Sequence, residues 1–92
     1  MNVTAKTIDN QLYACYLMEI IKSKRLESKL TQNEFSKIVN ISPITYGHLE
    51  SGRSILNLFQ FVIFCKYLNL NCETLLNQCA IKLQNSKLEH IK

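Results

Sequence analysis

The chain has no tryptophan, one proline and two glycines in 92 residues, and only 20% of it is charged. So little proline and glycine excludes a loop-rich scaffold, while 47% hydrophobic residues exclude a chain too polar to bury a core. Long apolar runs are missing as well. The longest, LFQFVIFC from Leu58 to Cys65, falls far short of the ~20 residues that span a bilayer, so no membrane segment is expected. The N-terminus has no continuous apolar region of the signal-peptide kind. The four cysteines, Cys15, Cys65, Cys72 and Cys79, form no CxxC pair, and the expectation is a cytoplasmic protein with reduced thiols. A zinc site drawing on Cys65, Cys72 and Cys79 with His48 or His90 has no ligand motif behind it. Those cysteines read as small buried hydrophobes, and no metal or cofactor is expected. There is no phosphate-cradling glycine loop, and no nucleophile has an evident base beside it, so an enzyme is the least favoured class.

What is present is enough for one domain, residues 1–92, built mostly of helix around one core. The formal net charge is +4 and the pI about 9.0, which suits a polyanionic partner. Between Lys22 and Arg53 six basic residues face three acidic ones, so the positive surplus sits in the segment that carries the strongest motif.

That segment is LTQNEFSKIVNISPITYGHLESGRS, from Leu30 to Ser54. Thr31 is placed as the N-cap of a first short helix, with Glu34 closing a capping box and Leu30 and Phe35 forming a hydrophobic staple. The helix runs from Gln32 to about Val39, and Asn40 is the left-handed residue that ends it. Ser42 caps a second helix with Pro43 at its first position, where a missing N–H costs nothing. That helix ends near Ser51, and Gly52 stands where a positive φ is wanted. Two capped helices joined by a tight turn make a helix-turn-helix. On the second helix Tyr46 and Leu49 share the inward side, while Ile44, Gly47, His48 and Ser51 lie opposite with Thr45 at the edge. A free face of short, weakly charged residues is what insertion into the DNA major groove requires.

The run IKSKRLESKLTQNEFSKIVNISPITYGHLESGRS, followed by a helix and then LNLNCETLL, resembles the lambda-repressor-like (XRE-type) helix-turn-helix family. The resemblance covers roughly residues 17–76, and its marks are Arg25, Gln32, Glu34, the Glu50-Ser51-Gly52 triplet and Leu68 with Leu70 to Leu75. It implies an all-α, compact five-helix bundle, with residues 7–16 and 77–92 as extensions of the first and last helices. It implies that Arg25 and Glu50 form a structural ion pair. It further implies that Pro43, Ile44, Thr45, Gly47 and His48 face the bases, and that Gln32, Ser51, Arg53 and Ser54 hold phosphates. Pro43 and Ile44 stand where many relatives carry Gln, Arg or Ser, which leaves hydrogen-bond readout thin at those two positions.

The flanks follow the same logic. A long first helix is expected from a cap at Thr7 or Asp9 to about Ser28, with Leu17, Met18, Ile21 and Arg25 inward. Leu12, Tyr13, Tyr16 and Ile20 form a second apolar patch, read either as an association surface or as a seat for the C-terminal segment. Asn57 with Gln60, and Asn71, cap two further helices. The first of these, from Leu58 to about Leu68, is apolar nearly all round and is expected to be the most buried element. The last continues through Cys79, Ala80 and Leu83 toward Leu88. Cys79, Ile81 and Leu83, with Tyr13 and Tyr16 second, are the expected dimer surface. The functional expectation is a homodimeric transcriptional regulator, a repressor or autoregulator of bacterial or phage origin, on a palindromic double-stranded DNA operator. The rival is an interaction module, such as an antitoxin bound to its toxin, that keeps the fold with weak or no DNA binding.

Overall fold

The computed structural model describes the backbone of residues 5–91 and the side chains of residues 11–85. Five helices follow in order: α1 Ala5–Glu27, α2 Gln32–Ile38, α3 Pro43–Ser51, α4 Leu58–Leu68 and α5 Cys72–Ile91. The starts of α2 to α5 are set by side chains that accept otherwise unpaired first N–H groups. Thr31 Oγ1 accepts from Glu34 N at 3.0 Å while Glu34 returns a carboxylate oxygen to Thr31 N at 2.9 Å, and Asn57 and Gln60 repeat the exchange on α4. Ser42 and Asn71 cap α3 and α5 in the simpler way, each accepting from the residue three positions on.

The helix ends share one device too. At the close of α1, α2 and α4 a non-glycine residue takes a positive φ: Lys29 at 60°, Asn40 at 61° and Asn69 at 58°. The next amide then reaches back five residues, as Leu30 N does to Arg25 O, Ile41 N to Ser36 O and Leu70 N to Cys65 O. Gly52, with φ 84°, ends α3.

Leu17, Met18 and Ile21 of α1 line the core, with Phe35, Tyr46, Leu49, Phe61, Phe64, Leu68, Leu75 and Cys79 closing on them. At its centre Phe35, Tyr46 and Phe64 meet edge to face, with ring centroids 5.2 to 5.6 Å apart. One residue from each of α2, α3 and α4 therefore fixes the motif against the rest. α1 packs along α5 and also touches α3 and α4.

Several expectations are corrected here. Helix α1 begins at Ala5, so neither Thr7 nor Asp9 is its cap. The patch of Tyr13, Tyr16 and Ile20 is half-buried against the core, and Tyr13 Oη donates to Leu76 O of α5 at 2.6 Å. It is a seat for the last helix, with Lys82 over the Tyr16 ring and paired with Glu19. Cys79 and Leu83 point into the core, and of the expected dimer trio only Ile81 is exposed. Helix α4 is not buried all round. Phe61, Phe64, Cys65 and Leu68 face inward, while Leu58, Phe59, Val62, Ile63 and Tyr67 are exposed. A helix apolar on every side can still bury only the face its neighbours reach, and here the other four helices all gather on one. The side chains of Leu88 and His90 lie outside the described residues.

Candidate nucleic-acid interface

The joint between α2 and α3 is three residues, Asn40 to Ser42 lying between the Val39 cap and Pro43. The positive φ of Asn40 turns the chain within this space. Ser42 then receives Thr45 N at 3.0 Å and gives its own hydroxyl proton to Thr45 Oγ1 at 2.8 Å. Thr45, itself exposed, thus keeps its own hydroxyl proton to donate.

That face is as the helical spacing requires. Tyr46 and Leu49 are buried, Ile44 is 72% exposed, Pro43, Thr45 and Ser51 are exposed, and Gly47 and His48 are half-covered. Gly47 lies on the side toward α2. A Cβ built on it would stand 3.5 Å from Gln32 Oε1, an ordinary contact, so packing against α2 does not require a glycine there.

Behind the face a polar cluster holds α3 in place. Arg25 Nε donates to Glu50 Oε2 at 2.8 Å and Nη2 to Oε1 at 3.2 Å, with both side chains more than nine-tenths buried. Arg25 Nη1 closes on Leu30 O at 2.5 Å, Tyr46 Oη donates to Glu50 Oε2, and Gln32 Nε2 donates to Glu50 Oε1 at 2.8 Å. The expected ion pair is therefore the centre of a four-residue network joining α1, α2 and α3. Burial alone would raise the Glu50 pKa, but the bonds from Arg25, Tyr46 and Gln32 outweigh it and hold the carboxyl below its ordinary range. The same bond to Glu50 raises Arg25, and burial with the Glu50 contact raises Tyr46.

The expected phosphate residues divide. Arg53 is exposed and unpaired by any described carboxylate, and Ser54 is exposed beside it, with its backbone N–H taken by His48 O at 3.1 Å. Ser51 spends its hydroxyl proton on His48 O at 3.2 Å. Gln32 keeps one amide proton for a ligand after giving the other to Glu50. Sequence reasoning assigned Gln32 to the phosphate alone. Its second role left no local signal, because Gln32 and Glu50 stand 18 positions apart and meet only once α2 and α3 are packed.

With Glu50 paired to Arg25, the exposed charges near the motif are Lys22, Lys29, Lys37 and Arg53 against Glu27 and Glu34, which leaves the surface there with a positive surplus. Among the described residues no three of His, Cys, Asp and Glu come together as metal ligands. No described helix is long and apolar enough to cross a membrane.

A family model described as helix-turn-helix matches residues 21–75, more than half of the chain and the whole span from Ile21 of α1 to the first turn of α5. Neither curated proteins nor solved structures yield a match. The family match falls on the two capped helices, the Arg25–Glu50 pair and the core that positions them, and on this ground the chain belongs to the lambda-repressor-like (XRE-type) helix-turn-helix family of DNA-binding regulators.

Proposed function

We propose that the protein is a dimeric transcriptional repressor or autoregulator that reads a palindromic operator with α3. The observation that carries this reading is the exposed, uncharged face of α3 held from behind by the Arg25, Glu50, Gln32 and Tyr46 network. A rigid second helix with a short-residue face fits a major groove, and the free N–H groups at the start of α2 suit a backbone phosphate. Thr45 donates to a base edge or phosphate, Ile44 covers a thymine methyl, and His48 reaches a guanine or phosphate. Arg53 and Ser54 anchor the chain beyond α3, and Gln32 offers its remaining amide proton at the start of α2. With so few phosphate contacts per module, two copies are needed to reach the usual specific range of ~10⁻⁸ M or tighter.

The test is selection of DNA from a random pool by the purified protein, then titration of the best site at several salt concentrations. The expected site is a palindrome with half-sites about one helical turn apart, lost in Thr45→Ala/His48→Ala. A rival reading, a protein-docking module such as an antitoxin, draws on the 72% exposure of Ile44. It would be favoured by sequence-blind binding that ignores both substitutions and disappears at modest salt.

A further inference from the structure

Six apolar residues, Ile55, Leu58, Phe59, Val62, Ile63 and Tyr67, form an outward face on and just before α4, with exposures from 40% to 79%. At 100° per residue the five on α4 spread over half of the helix, directly opposite the buried Phe61, Phe64, Cys65 and Leu68. With ordinary side-chain areas this face offers on the order of 700 Å², beyond the ~300–600 Å² of the largest patch on a typical monomer and close to the ~800 Å² per partner of a standard interface.

We infer that this α4 face is the surface through which two copies of the chain associate. This rests on the reading of the protein as a dimer and names the place where the dimer forms. Three observations favour a second copy as the occupant. The area offered matches one side of a standard interface. The segment from Ser54 to Cys65 carries no charge at all, so a two-fold axis through its middle brings no like charges together; Lys66 lies on the same side of α4 but one turn beyond Val62, toward the C-terminal end and beside the Tyr67 ring. The face also begins at Ile55, two residues after Arg53, so an interface here borders the DNA-facing edge, where the two copies of a dimer on one operator must meet. The alternative among the described side chains of α5 is poorer. Leu76 and Ile81 are exposed, but Asn77, Gln78, Lys82 and Gln84 surround them in sequence.

The experiment is sedimentation equilibrium of the full chain without DNA, paired with a dilution series of the wild type followed by backbone amide NMR. The wild type is expected to be a reversible dimer, with concentration-dependent shifts gathered between Ile55 and Tyr67. Phe59→Glu/Val62→Glu should weaken association about tenfold or more, as charging a buried anchor does, while Ile81→Glu leaves it unchanged. The substituted side chains point away from the core, and the dilution series needs no variant, so loss of fold cannot imitate the result. A wild type that stays monomeric throughout, shifts that gather on α5, or a dimer that survives Phe59→Glu/Val62→Glu would each overturn the inference. A dimer broken by that pair, in a protein that selects no DNA site, would keep the α4 interface and remove the operator reading.

Discussion

The side-chain amide of Gln32 donates to Glu50 Oε1 at 2.8 Å, tying the first residue of α2 to the penultimate residue of α3. The residue proposed to hold a phosphate is thus also part of what fixes α3. A phosphate drawn to the start of α2 would meet an amide already oriented by a carboxylate that Arg25 keeps charged.

Removing that amide separates the two roles. Gln32→Ala should lower stability by only about 1 kcal/mol, since the side chain is exposed and Arg25 still holds Glu50. DNA affinity should fall by a similar factor on every sequence, because a phosphate contact positions without reading. Chemical denaturation and titration of matched and mismatched sites check this. A changed preference among sites would mean that Gln32 orients α3 instead.

The Arg25–Glu50 pair should behave as a lock. Arg25→Ala leaves a carboxylate that is 3% exposed without its cation and should cost about 3 kcal/mol or more. Arg25→Met/Glu50→Leu, which removes both charges, should cost less than either single truncation. Denaturation of the single and double variants measures the difference, and additive losses would show that the two residues act independently.

Much of this was legible in the sequence because capping is local. Thr31 with Glu34 and Asn57 with Gln60 are three residues apart, so their reciprocal bonds need no tertiary contact. The inward sides of α2 and α3 follow from helical spacing for the same reason. Helix α4 was misread because spacing reports which side chains are apolar and not which neighbours reach them. Phe59 and Phe61 are alike in sequence, yet one is 79% exposed and the other 3%. Cys79 and Leu83 were misplaced in the opposite sense, since only the run of α5 along α1 shows that their side is taken. Lys29 gave no warning of its left-handed backbone, because lysine carries no preference for it.

The Lys29 backbone leads to a stability prediction. A φ of 60° costs a residue with a Cβ roughly 1 kcal/mol, and glycine adopts it freely. Lys29→Gly should therefore raise stability by about 0.5–1 kcal/mol even though it removes an exposed side chain. Thermal unfolding decides the sign. A lower midpoint would mean that lysine contacts in the folded state outweigh the backbone relief.

Acid should weaken the fold through Glu50. Its folded-state pKa lies below the ordinary value of 4.5, so between those two values the unfolded chain binds more protons than the folded one. The stabilisation is fully present above about pH 5 and is lost as pH falls through the folded value. Glu34, lowered chiefly by the backbone bond from Thr31, acts in the same direction. Glu50→Gln should flatten the loss of stability below pH 5. An unchanged slope in urea titrations from pH 3 to 6 would place the acid sensitivity elsewhere.

Arg53 and Thr45 should fail in different ways if α3 reads an operator. Arg53 is an exposed cation just beyond the Gly52 turn, and Arg53→Ala should weaken binding evenly over all sequences and reduce the salt slope by about 1 per copy. Thr45 accepts the Ser42 hydroxyl and keeps its own proton to donate, so Thr45→Ala should leave the salt slope alone. Its loss should appear as roughly 1–3 kcal/mol at the preferred site and relaxed choice at one base pair of each half-site. Titrations at three salt concentrations on the selected site and its single-base variants measure both. If Thr45→Ala lowers the salt slope and keeps the site preference, Thr45 holds a phosphate, and base discrimination then falls to Ile44 and His48.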